Sequence, residues 1–196
     1  MYLPVPPRPD PGAEPEGESA PRPIAADEEE DLRAVVGPNA AFYLASWRKL
    51  SKRPDSGTGF NRAAFVLSYA WLGYRRMYRR AFVLFAIILA EVTLEEVVFC
   101  GLLGWPAPPP LLTPVVGFTV AVVCGARANR WYLAHVRQVI AEVRNGHPHR
   151  PGDRAALADR GGTDFAGALG VVALCFMAAF LIGTIRMAPR VVFIAG

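Results

Sequence analysis

From residue 81 onward the chain carries three long apolar runs: "AFVLFAIILAEVTLEEVVFCGLLG" at 81–104, "LLTPVVGFTVAVVCGARA" at 111–128 and "AGALGVVALCFMAAFLIGTI" at 166–185. A helix needs about 20 mostly apolar residues to cross a bilayer. The third run meets this without a charge. The second is slightly short and holds Pro114 in its first turn, where proline is tolerated. The first is long enough but contains Glu91, Glu95 and Glu96. Ahead of these runs, "AAFVLSYAWLGYRRMYRRAFVLF" at 63–85 sets Phe65, Tyr69 and Leu72 at helical spacing, which predicts an interfacial helix near 62–79. Further upstream, "GPNAAFYLASWRKLSKRP" puts Phe42, Tyr43, Trp47 and Leu50 near one face and Arg48, Lys49 and Lys52 towards another. This predicts a short amphipathic helix near 39–51, with Asn39 as candidate N-cap and Pro54 beyond its end. A further helix is expected near 127–145, continuing the second run.

Charge divides the chain unevenly. Residues 1–31 hold nine acids and two arginines, and eight prolines precede Ile24. So few large apolar residues cannot offset the entropy of ordering, so the expectation there is a disordered, Pro-rich acidic tail. The remainder carries nineteen Lys/Arg against eight Asp/Glu. Basic charge beside apolar runs points to anionic lipid headgroups rather than nucleic acid. The start of the chain, "MYLPVPPRPDPGAEPEGE", has neither the basic nor the apolar region of a signal peptide, so insertion is expected to rest on internal segments. The turn "WPAPPP" at 105–110 has no charge, whereas residues 127–160 hold seven arginines. Lys and Arg concentrate on the cytoplasmic side. The expected topology therefore has a cytoplasmic N-terminus, an outward C-terminus and three spans in a bacterial inner membrane.

The expected fold is an all-α integral membrane protein of about three transmembrane helices, preceded by amphipathic and interfacial helices and the disordered tail. Its divisions are 1–36 (tail), 37–80 (cytoplasmic amphipathic and interfacial helices), 81–128 (transmembrane hairpin), 129–164 (cytoplasmic basic helix and loop) and 165–196 (third transmembrane helix and C-terminus).

Two sets of residues carry candidate chemistry. Trp71, Tyr74, Arg75, Arg76, Tyr78, Arg79 and Arg80 suit the headgroup level, where guanidinium groups reach phosphate and rings lie at the interface. Glu91, Glu95 and Glu96 share one broad helical face in the first apolar run. Ionised carboxylates there are costly, which marks a partner or ion site, or else a shallow position at the outer interface. Cys100, Cys124 and Cys175 lie in apolar stretches and imply no disulfide framework. "HPH" at 147–149 and His135 lack the further ligands of a metal site. "RGGTDF" at 160–165 lacks the lysine of a phosphate-binding loop and reads as a turn in which Thr163 or Asp164 caps the third span. No catalytic, cofactor or metal constellation is readable.

"NAAFYLASWRKL", "FNRAAFVLSYAWLGYRRMY", "GARANRWYLAHVRQVI" and "DRGGTDF" occur in this order. Over residues 37–170 the chain resembles domain-of-unknown-function family 2628, small bacterial inner-membrane proteins. The resemblance places the family's pattern on Trp71, Tyr74, Arg75, Met77 and Tyr78; on Gly125, Asn129 and Tyr132; and on Gly161, Gly162 and Thr163. It implies a membrane protein of unassigned activity and no catalytic residues. The expected function is a non-catalytic accessory or assembly subunit of a larger, possibly bioenergetic, membrane complex. The tail and the small residues of the third run would contact its protein partner. The alternative is a small oligomeric transporter or ion-conducting protein using the three glutamates.

Overall fold

The structure, a computed structural model, describes residues 24–52, 59–144 and 153–187. Residues 1–23, the "HPH" loop and Arg190 lie outside it. The described residues form helices and no strand. In chain order they are α1 (Ala26–Val36), α2 (Ala40–Lys52), α3 (Arg62–Tyr74), α4 (Tyr78–Glu95), α5 (Leu112–Arg144), α6 (Asp153–Arg160) and α7 (Phe165–Met187).

Part of the disordered tail expected over residues 1–36 is ordered. Residues 26–36 are helix α1, and Asp31, Leu32, Val35 and Val36 are buried. The acid run that read as a solvated tail pairs with the basic half of the same chain. Glu28 accepts from Arg137 at 2.7 Å, Asp31 pairs with Arg144, Glu29 with Arg33 and Arg48, and Glu30 with Arg154. Three apolar side chains on one face of "DLRAVV" then have a core to enter. Burial of each fully enclosed Val or Leu is worth roughly 1.5–3 kcal/mol, which offsets the cost of ordering the helix. Glu28, Glu29, Glu30 and Asp31 are thus paired within the chain.

A 3-10 turn at Gly37–Asn39 joins α1 to α2, and Gly37 (φ 73°) closes α1 with its N–H on Arg33 O. With α6 and the C-terminal half of α5, these helices form a cap. Its core is Leu32, Leu44, Trp47, Leu50, Val136 and Leu157, all 2% exposed or less. The predicted continuation of the second apolar run holds. α5 is one helix of 33 residues, about 50 Å long, that leaves the apolar part and enters the cap.

The expected interfacial helix near 62–79 is broken twice. Asn61 caps α3 by accepting from Ala64 N at 3.0 Å, the helix bends at Ser68 (φ 41°), and it stops at Tyr74. Its first half climbs along α5: Asn61 N donates to Gly125 O, and Phe65 meets Phe118. Its second half descends along α7: Tyr69 lies against Cys175, Gly73 packs on Val171 and Gly167, and Tyr74 O accepts from Asp164 N. At about 1.5 Å per residue, the bend at Ser68 stands about 9 Å above both ends of the helix.

α4, α5 and α7 cover the predicted runs within a few residues. α4 continues as a π-helical stretch over Glu96–Leu102. α5 and α7 are long and apolar enough to cross a membrane, with mean hydropathy 1.3 and 2.5 over their best windows. Only 22% and 0% of those windows are buried. α4 is helical where the first span is expected, but its glutamates and arginines keep it outside that pair.

Candidate functional site

The residues of the resemblance converge where the cap meets α3, α4 and α7. Arg75 is the centre, 4% exposed. Its guanidinium lies 4.9 Å from the Tyr43 ring centroid, 5.0 Å from Tyr132 and 5.5 Å from Tyr74. It donates to Tyr43 Oη at 3.0 Å and to Tyr132 Oη at 3.5 Å. Among the described residues no carboxylate pairs with it. Ring faces and phenol oxygens therefore replace water around the cation, each such contact being worth about 0.5–2 kcal/mol. Burial pushes the Tyr132 phenol up to about 12, against the pull of Arg75. It stays protonated and accepts as a neutral hydroxyl.

A second polar knot adjoins the first. Asn61 Nδ2 donates to Asn129 Oδ1 at 2.9 Å, Asn129 Nδ2 to Gly59 O at 3.2 Å, and Trp47 Nε1 to Asn129 O at 2.9 Å. Asn129 thus ties α2, α3 and α5 together. Gly125, one turn away, leaves room for the Phe60 ring, which a Cβ there would overlap. Asn61 was not singled out from sequence, although an asparagine just before a helical run is the signature of a cap.

Of the seven candidate headgroup anchors, Trp71 and Arg75 lie in the interior, 3% and 4% exposed, where no lipid headgroup reaches them. Arg76 (φ 58°) turns towards α6 and donates to Asp159 O at 2.7 Å and Arg160 O at 3.3 Å, closing that helix. Tyr74 is half-buried beside Arg75. Tyr78 donates to Asp164 Oδ2, Arg80 to Trp131 O at 2.9 Å, and Arg79 is exposed. Asp164 caps α7 as the pattern expects, accepting from Gly167 N at 2.8 Å. The Tyr78 hydroxyl, and then the Gly167 N–H, hold its carboxyl below the usual range. The glycine loop is a turn: Gly161 N donates to Leu157 O and Gly162 N to Val35 O. Those N–H groups are not directed at a phosphate.

His135 lies on α5 beside Arg80. Burial first, and then the Arg80 charge, hold its imidazole below the ordinary 6.5, with Glu142 opposing weakly. The unfolded chain then takes up this proton at a higher pH than the folded one. Stability should therefore fall as pH drops below about 6.5, until the folded group also titrates. Melting of the detergent-solubilised protein between pH 7 and 5 should show a decline that His135→Gln makes shallower; parallel curves for the two proteins would contradict it.

The glutamates stand at the other end of α4. Glu95 is 5% exposed and accepts from Thr113 Oγ1 at 2.9 Å, and its Oε1 has no hydrogen-bond partner. Glu91 interacts with Glu95 one turn earlier, and Glu96 opens the π-helical stretch. Such stretches are rare and often mark functional positions. Thr113 begins α5, so Glu95 lies about 20–25 Å along that helix from Arg127 and Arg130. The carboxylates and the arginines occupy opposite ends of the apolar part. Among the described residues no group of three or more His, Cys, Asp or Glu could hold a metal.

Neither a curated protein nor a solved structure matches the chain. A family match begins at α2 and ends within the cap half of α5, so it encloses the Arg75 cage and the Asn129 knot but not Gly161, Gly162 and Thr163. On residues 40–138 the chain belongs to the family described as "Protein of unknown function (DUF2628)".

Proposed function

We propose that the protein is a non-catalytic accessory or assembly subunit of a larger complex in a bacterial inner membrane. In this reading α4 with its π-helical stretch, α5 up to about Ala128, and α7 cross the bilayer. The cap and the N-terminus are cytoplasmic, and the C-terminus faces outward. The observation that carries the reading is the rigid coupling of the two parts. A single helix, α5, runs through both, and the Arg75 and Asn129 knots lock them at the junction. Such a body presents the cap at a set height above the membrane. A core helix of a soluble protein would be mostly buried, whereas the apolar windows of α5 and α7 are not. α7 also keeps an outward face of Leu169, Phe176 and Phe180, with open space at Gly170 and Gly183, which suits contact with another membrane helix.

Affinity purification from native membranes in mild detergent tests the proposal. A defined set of membrane proteins should co-purify, and Phe176→Ala with Phe180→Ala should release it while leaving the cap folded. Recovery of the chain alone, with lipid its only companion, would contradict the subunit role.

One observation favours the alternative, a small ion-conducting protein: the nearly complete burial of Glu95 with one oxygen unpartnered. On that reading Glu95→Gln abolishes flux in liposomes, because the amide keeps the shape and loses the titrating charge. On the subunit reading liposomes of the purified chain show no flux before or after the substitution.

A further inference from the structure

α4 and α5 touch where Arg80 meets Trp131 O and again, far along, where Glu95 meets Thr113. Next to the first contact lies a groove of about 670 Å³. Its lower end is lined by Arg76, Arg79, Arg80, Trp131, His135 and Gln138, and its wall by Val83, Leu84, Ile87 and Val123. No Asp or Glu lines it. Arg79 makes no hydrogen bond to the described protein, and Arg80 spends one N–H group on Trp131 O. From Arg80 to Ile87 the apolar wall rises about 10 Å along α4.

Cationic donors at one end of a groove and aliphatic wall at the other fit an amphiphile with an anionic head. A free phosphate would use the first and leave the second empty. Resting on the membrane reading above, we propose that this groove binds one anionic phospholipid. Arg79 and Arg80 hold its phosphate and Trp131 packs at the glycerol level. One acyl chain lies along Val83, Leu84, Ile87 and Val123. The site orients the cap against the cytoplasmic leaflet. Arg75 lies buried among the tyrosines, and Arg76, at the edge of the groove, spends its guanidinium on the α6 carbonyls.

The full chain is reconstituted into nanodiscs of phosphatidylcholine with a minor fraction of phosphatidylglycerol. Either lipid carries bromine on its acyl chains, at equal mole fraction. Trp131 fluorescence is isolated by difference from Trp131→Phe. Brominated phosphatidylglycerol should quench it with an apparent preference of about tenfold over phosphatidylcholine, as two arginines at a headgroup allow. Arg79→Gln, an exposed change with no packing to lose, should remove most of that preference, and Arg79→Gln/Arg80→Gln all of it. Equal quenching by the two lipids, a preference unchanged by Arg79→Gln, or its removal by inorganic phosphate at matched ionic strength would each overturn the site. Quenching by neither lipid would instead show that the apolar part is not in the bilayer, and would sink the membrane reading itself.

Discussion

Arg75→Met should lower the melting temperature of the detergent-solubilised protein by about 6–12 °C, corresponding to roughly 3 kcal/mol. Methionine keeps the length of the stem but removes the guanidinium from between Tyr43, Tyr74 and Tyr132. The Tyr43 and Tyr132 hydroxyls are then buried without their donor, at about 1–3 kcal/mol for each such group. Relief from burying a cation offsets part of this. Arg75→Lys should recover less than half of the loss, because an ammonium cannot reach two phenols and lie over three rings at once. Arg62→Met, on the exposed first residue of α3, is the matched control and should shift melting little. Tyr132→Phe combined with Arg75→Met should cost less than the two changes summed, since each removes the same contact. An Arg75→Met protein that melts with the wild type would show that the cage is incidental.

Gly161→Ala should do comparable or greater damage through backbone alone. A Cβ at Gly161 would overlap the Val35 carbonyl oxygen and come 2.7 Å from Val35 Cα. Neither atom can swing aside, and Gly162 N is hydrogen-bonded to the same carbonyl at 2.7 Å. Relief requires α1 and α6 to separate, which uncovers Leu32, Val35 and Leu157. Overpacking typically costs 1–3 kcal/mol, and the loss of the α1–α6 contact adds to it. Gly125→Ala is the informative comparison. Its clash is with the ring of Phe60, which is half exposed and free to rotate away, so that variant should melt closer to the wild type. Limited proteolysis should cut α1 early in Gly161→Ala and late in Gly125→Ala. The reverse order would contradict the assignment.

Helices announced themselves through periodicity where they were long. The apolar runs at 81–104, 111–128 and 166–185 are α4 with its π-helical stretch, the first half of α5, and α7, because length and apolarity are properties of one segment. A cap of α7 at Thr163 or Asp164 was legible for the same reason, and Asp164 fills it. The destinations of side chains were not. Arg75, Arg76, Arg79 and Arg80 are alike in sequence, yet one is enclosed by three tyrosines, and of the three that line the groove one also closes α6. Only the bends at Ser68 and Arg76, set by contacts with α5, α6 and α7, separate them. "DEEED" looked like tail because its partners Arg137, Arg144 and Arg154 lie more than a hundred residues away. The net charge pointed to an acidic segment and a basic one, but not to their pairing. Glu95 was singled out for its charge within an apolar run. Its depth followed from Thr113, a partner that helical spacing within α4 cannot reveal.

Which side of a membrane each end of α5 faces can be measured directly. In a background with Cys100, Cys124 and Cys175 replaced by serine or alanine, Ala107→Cys and Ala156→Cys place single thiols at exposed positions in the "WPAPPP" turn and on α6. A membrane-impermeant maleimide applied to intact spheroplasts should label Ala107→Cys and leave Ala156→Cys unlabelled until the membrane is opened. Labelling of both thiols from outside, or of neither until the membrane is opened, would mean that α5 does not carry the chain across, and the junction at Arg75 would lose its place at the membrane surface.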